Sequence, residues 1–156
     1  MLHVLIADDD AAIRGLLATI LRTSECSVDL VSNGQEAIRA FEDCEYDLVI
    51  TDLEMPRVDG KKLTQSIRQH NTRVPVVMIT GCADPIAMTV ELKEAGVSRV
   101  ISKPFQVAEI LALRSLLAEK PAVREATALI APTFPDPNQV TADTLKNRLH
   151  VESNVV

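Results

Sequence analysis

The sequence predicts a doubly wound α/β domain, a five-stranded parallel sheet with five helices, followed by a C-terminal tail. Short apolar runs alternate with helix-periodic stretches, the pattern of parallel strands joined by crossover helices. Polar residues capable of chemistry stand just past four of those runs: Asp8 and Asp9, Asp52, Thr80 and Lys103. At 156 residues and 47% hydrophobic content, the chain suffices for one full core. The expected organisation is a domain over residues 1–120 and a proline-containing tail or linker over 121–156.

The first strand is Leu2 to Ala7. The first helix, about Asp10 to Arg22, has Asp10 placed to cap its free N–H groups and Ile13, Leu16, Leu17, Ile20 and Leu21 on one apolar stripe. Strand two is Ser27 to Val31. Asn33-Gly34 then punctuates the chain before a helix whose Ala37, Ile38 and Phe41 face the sheet. Asp47 to Thr51 is the third strand, and Pro56 and Asp59-Gly60 mark a structured turn directly after it. Leu63 and Ile67 suit a third helix ending near His70 and Asn71.

Pro75 to Thr80 reads as strand four. Asp84 is expected to cap the fourth helix, with Pro85 at its first position, where a missing N–H costs nothing, and Gly96 marks the helix end. Arg99 to Ser102 is a short fifth strand. The last helix, about Gln106 to Lys120, carries one apolar stripe through Val107, Ile110, Leu111 and Leu117 and another through Leu113 and Leu116. One stripe should face the sheet; the second is either an exposed partner surface or part of a wide core-facing one. Four of the eight prolines fall between 121 and 137. Within the tail, Thr141 suits the cap of a short helix near 141–150, with Val140, Leu145 and Leu149 on one side.

The formal charge is −6, from 22 acids against 16 bases, which gives no electrostatic reason to expect nucleic-acid binding. Cys26, Cys44 and Cys82 are odd in number and form no CxxC pair, so neither a disulfide framework nor a zinc site is indicated, and a reducing cytoplasm fits best. No stretch approaches the ~18 apolar residues of a membrane span. His3, His70 and His150 have no mutual spacing for metal or acid-base work.

In an open parallel sheet, ligands bind outside the carboxyl ends of the strands, where residues far apart in sequence converge. Three carboxylates gathered there repel one another unless a cation sits among them. Mg²⁺ suits Asp8, Asp9 and Asp52, because it takes oxygen ligands, typically one or two carboxylates plus waters and a phosphate. Lys103 adds a point charge and Thr80 a hydroxyl for a phosphoryl group, leaving Asp52 an oxygen that can act as a nucleophile. Taken singly, each of these residues reads as a cap, a turn former or a solvated side chain. Their order along the chain gives the set its meaning.

The ordered set resembles the receiver domains of two-component response regulators, with a stand-alone, flavodoxin-like, chemotaxis-regulator-like fold. The resemblance covers roughly Leu2 to Ala118. It rests on Asp8 and Asp9, on Asp52 within Ile-Thr-Asp-Leu-Glu-Met-Pro-Arg-Val-Asp-Gly, on Thr80-Gly81, and on Lys103-Pro104-Phe105. It implies that Asp52 accepts phosphate from a histidine kinase or phosphotransfer protein, and that Mg²⁺ is bound directly by Asp9 and Asp52, through water by Asp8, and by the backbone carbonyl of Glu54. It also implies that Thr80, Gly81 and Lys103 serve the phosphoryl group and that Lys103-Pro104 is a cis peptide. Ala11, Ala12 and Gly15 would leave room for kinase helices, and output to a protein partner, or self-association, would use helices four and five.

One departure stands out. Where most members of that family carry an aromatic ring three residues before the lysine, this chain has Val100, so output would either run through residues Gly81 to Asp84 and helix four alone or be weaker than usual. Glu54 and Cys82 occupy positions that in the family influence phosphate lifetime. The alternative is an aspartate-nucleophile, Mg²⁺-dependent phosphohydrolase, although that motif asks for Thr or Val where Ala12 stands. A nucleotide-binding fold would need a glycine-rich turn after strand one in place of three aspartates. The chain also reads as a possible piece of a longer regulator.

Overall fold

The computed structural model describes residues 1–81 and 85–118. The expected cap at Asp84, the Cys82 position, the end of the last helix at Lys120 and the tail with its short helix near 141–150 lie outside them. The elements are β1 (Leu2–Ala7), α1 (Ala11–Arg22), β2 (Cys26–Val31), α2 (Gly34–Asp43), β3 (Leu48–Asp52), α3 (Gly60–His70), β4 (Val76–Thr80), α4 (Pro85–Glu94) and β5 (Arg99–Ser102). The fifth helical stretch follows as α5 (Val107–Leu111), a 3₁₀ turn (Ala112–Arg114) and α6 (Ser115–Ala118). All pairings are parallel and the strand order is β2-β1-β3-β4-β5.

Alternation along the strands divides the core between the two faces of the sheet. Val4, Ile6, Ile50, Val77, Ile79 and Ile101 point toward α1 and α5, where Leu17, Leu21 and Ile110 meet them. Leu5, Ala7, Val49 and Val76 point the other way, onto Ala37 of α2 and Leu63 and Ile67 of α3. On that face, α4 covers Met78 through Leu92. Central strands β3 and β4 are buried along their whole length, as expected of strands with helices on both sides.

Two expectations about side-chain direction are corrected. Leu16 does not join the core stripe of α1: it is 47% exposed. It stands roughly 100° before Leu17 around the helix, outside the arc that faces the sheet. In the last helix the buried line is Ile110 and Leu113, with Leu116 and Leu117 packed partly against the same cluster. Val107 and Leu111 are instead 54% and 37% exposed. Leu113, inside the 3₁₀ turn, follows Ile110 inward because side chains three apart line up there, whereas Val107 and Leu111 lie before the turn and face outward.

Helix ends are closed by side chains where the sequence provides them. Asp10 caps α1 by accepting from the N–H groups of Ala12 and Ile13, Asn33 caps α2 and Asp59 caps α3. After α4 the chain turns through Gly96 at φ +97°, a left-handed conformation that favours glycine. The Gly96 carbonyl accepts from both Nε and Nη2 of Arg68, whose Nη1 donates to the carbonyls of Asn71 and Val74. Arg68 thus ties the ends of α3 and α4 to the start of β4. Arg68→Ala is expected to lower unfolding free energy by about 2 kcal/mol, because charged donors leave and partly buried carbonyls lose partners. Urea denaturation measures this, and an unchanged midpoint would remove the clamp.

Candidate functional site

Strand register brings the predicted residues together. Ala7 pairs with Thr51, Asp52 with Ile79, and Thr80 with Ser102, so the residues just past those positions share one edge of the sheet. Asp8, Asp52 and Thr80 are buried there, whereas Asp9 is exposed. Carboxylate oxygens of Asp8, Asp9 and Asp52 lie within 4.8 Å of one another. Lys103 follows β5, with its backbone N–H donating to the Thr80 carbonyl at 2.7 Å. The Lys103-Pro104 peptide is cis.

The Lys103 ammonium bridges two of the acids. Its Nζ donates to Asp8 Oδ2 at 3.0 Å and to Asp52 Oδ2 at 2.9 Å. The second oxygens are also engaged: Asp8 Oδ1 accepts from the Asp10 N–H at 2.8 Å, and Asp52 Oδ1 from the Leu53 N–H at 2.7 Å. Two carboxylates therefore share one ammonium, and the third, on Asp9, lies beside them without a bond to it. An octahedral Mg²⁺ site spans about 4.2 Å between opposite oxygens, so the three acids fit such an ion with little adjustment. The donor set, all oxygen and no sulfur or imidazole, suits the same hard cation.

Beside the acids runs an open groove of about 690 Å³, lined by Asp9, Leu53, Glu54, Met55, Pro56 and Lys61 among others. The loop that walls it folds back on β3: the Gly60 N–H donates to the Leu53 carbonyl at 2.9 Å, and Arg57 adopts a left-handed φ of 69°. Gly81 is exposed, and among the described residues nothing lies within 4 Å of a Cβ placed there. Ala11, Ala12 and Gly15 are exposed on α1.

Residues 4–114 match the response regulator receiver domain family. The chain belongs to that family. Relatives include the transcriptional regulatory protein ResD of Bacillus subtilis, 36% identical over 115 residues, which are 73% of this chain and 47% of ResD. Another is the regulatory protein AtoC of Escherichia coli, 33% identical over 108 residues, 69% of this chain and 23% of AtoC. The chain thus spans less than half the length of these relatives. Among solved structures, the receiver domain of Francisella response regulator 1452 is 26% identical with a TM-score of 0.72, covering 78% of this chain and 100% of that one. TrrA of Thermotoga maritima, solved with Mg²⁺ and BeF, is 28% identical with a TM-score of 0.68, covering 75% of this chain and 99% of TrrA.

As a receiver domain, residues 4–114 are a phosphorylation switch of two-component signalling, a signalling module rather than an enzyme, and the phosphohydrolase alternative falls away for them. Receiver domains interact with histidine kinases. Among the described residues no helix is long and apolar enough to cross a membrane.

Burial raises the Asp52 pKa above the usual carboxylate value of 3.8, and the Lys103 hydrogen bond only partly opposes it. For Lys103 the order is reversed: burial lowers its pKa, but the bonds and charges of Asp52 and Asp8 outweigh burial and raise it. A raised carboxyl pKa means that ionising Asp52 disfavours the metal-free fold. The stability it contributes is present below pH 3.8 and lost as pH rises through the folded-state value. Asp52→Asn cannot ionise, so in EDTA its melting temperature should gain on the natural protein as pH rises from 4 toward 7. A difference that stays flat across that range would contradict the assignment.

Reading the sequence missed Arg14, whose Nη1 donates to the Asp8 carbonyl at 2.6 Å. A signal was available, because side chains on a helix lean toward its N-terminus and a basic residue one turn inside α1 reaches back to the end of β1.

Val100, expected to leave the family's aromatic position without a ring, packs partly buried against Met78, Leu92 and Val97.

Proposed function

We propose that Asp52 is the phosphoacceptor of this receiver domain. One Asp52 oxygen attacks phosphorus of a phosphohistidine on a histidine kinase or phosphotransfer protein, the P–N bond breaks, and the imidazole leaves with the electron pair. Lys103 supports this reading most directly, since the ammonium that holds Asp52 stands where it can offset charge on the incoming phosphoryl oxygens. Mg²⁺, held by Asp9 and Asp52, by the Glu54 carbonyl and through water by Asp8, would neutralise the remaining carboxylate and phosphoryl charge. Thr80 and Gly81 complete the phosphoryl side.

The remaining assignments belong to the same proposal. Residues 1–120 form the receiver domain and 121–156 a tail or linker. Output passes through the α4, β5 and α5 surface to a protein partner or a second copy, not to nucleic acid, and the protein works in the cytoplasm. With Val100 already packed on the α4 side, the output rests on Thr80 and the segment after it.

Incubation with Mg²⁺ and acetyl phosphate, followed by intact mass measurement, tests the core claim. One acid-stable, base-labile phosphoryl adduct should form, and Asp52→Ala should form none. An adduct of equal yield on that variant would place the acceptor elsewhere.

A further inference from the structure

We infer that Arg14 is a positioning residue for the Mg²⁺ site, acting through the peptide that joins Asp8 to Asp9. This rests on the proposal that Asp9 and Asp52 hold the ion. Arg14 lies on α1, touches none of the three carboxylates in the hydrogen bonds described, and makes its 2.6 Å bond to the Asp8 carbonyl oxygen. That oxygen belongs to the planar unit linking Asp8 to Asp9, so a bond on it fixes the plane from which Asp9 departs.

The other restraints on this turn all bear on Asp8 or Asp10. The Asp8 N–H donates to the Val31 carbonyl at 3.3 Å, and Asp8 Oδ1 accepts from the Asp10 N–H at 2.8 Å. Asp10 in turn is held by the N–H groups of Ala12 and Ile13 at 2.8 and 3.3 Å. Asp9 sits between, exposed, and among the described residues its carboxylate accepts no hydrogen bond. Its direction toward Asp52 therefore depends on the backbone on either side, and among the described residues Arg14 is the one side chain from outside the turn bonded to the Asp8-Asp9 peptide.

Charge and position make opposite predictions for this residue, which makes the inference testable. Arg14 is a permanent cation beside an acidic cluster. If charge alone mattered, removing it would tighten Mg²⁺ binding. If position matters, removing it frees the Asp8-Asp9 peptide and weakens binding, as happens when partners behind metal ligands are lost.

The experiment is Mg²⁺ titration of the full chain by calorimetry, well below the melting temperature, on the natural protein, Arg14→Ala, Arg14→Lys and Asp9→Asn. Arg14→Ala should weaken Mg²⁺ binding about tenfold, at the low end of what outer partners of metal ligands contribute. Arg14→Lys keeps the charge and a donor on a side chain one bond shorter and should recover most of the affinity, to within about twofold of the natural protein. A general loss of stability would not produce that pattern at a temperature where every variant is folded. Unchanged or tighter binding by Arg14→Ala, with Asp9→Asn still impaired, overturns the role of Arg14 alone. Unimpaired binding by Asp9→Asn overturns the underlying site and this inference with it.

Discussion

Lys103→Met should take up phosphoryl groups from acetyl phosphate about 10²-fold more slowly than the natural protein, the loss typical when one preorganised donor is removed from a site of developing charge. The same change should enlarge the stabilisation that Mg²⁺ confers. Without the ammonium, Asp8 and Asp52 remain largely buried with no cation between them, a strongly unfavourable arrangement. Added Mg²⁺ then relieves more repulsion in the variant than in the natural protein, where Lys103 already offsets part of it. Because the Lys103 pKa is raised, its contribution is complete below the ordinary lysine value of 10.5 and lost only as pH rises through the folded-state value, so both effects should be undiminished at neutral pH. Stopped-time mass measurements and melting curves with and without Mg²⁺ check the pair. An uptake rate equal to that of the natural protein would remove Lys103 from the chemistry.

Gly60→Ala should damage both fold and site. A Cβ on Gly60 would collide with the Asp52 backbone carbonyl and come within 3.1 Å of Leu53 Cα. These are backbone atoms at the end of a buried central strand, unable to swing away as a side-chain tip would. Either α3 shifts outward or the Asp52-Leu53 peptide turns, and the second outcome also displaces the N–H that Leu53 donates to Asp52 Oδ1. A loss of about 3 kcal/mol is expected, the upper end for overpacking, together with slower phosphoryl uptake at temperatures where the variant is still folded. Natural stability and natural uptake in this variant would show that the close approach is not needed.

Much of this was legible in the sequence because strand ends announce themselves. Apolar runs stop where Asp8, Asp52, Thr80 and Lys103 begin, and parallel strands with short registers leave those residues one edge to share. Caps at Asp10, Asn33 and Asp59 were equally readable as local chemistry. Direction around a helix was harder. Periodicity placed Leu16 with Leu17 and Val107 with Ile110, but a spacing pattern carries no information about where the sheet lies or where a 3₁₀ turn changes the angle per residue. Arg14 and Arg68 escaped for a different reason: each binds backbone carbonyls, and a carbonyl leaves no trace in residue type. The Gly60 contact is likewise a backbone meeting, visible only once α3 is seated against β3.

The Lys103 bridge joins residues 95 positions apart, Asp8 at the first strand and the lysine after the fifth. Among the described residues no earlier cation is bonded to the Asp8 or Asp52 carboxylate. During synthesis, Asp8 and Asp52 are therefore made long before the lysine that bridges them, and a chain truncated before Lys103 holds the proposed acceptor without its ammonium. The ammonium reaches the acids only with β5 paired to β4, Thr80 opposite Ser102. By the loss expected for Lys103→Met, a copy lacking that ammonium would take up phosphoryl groups about 10²-fold more slowly than a finished one.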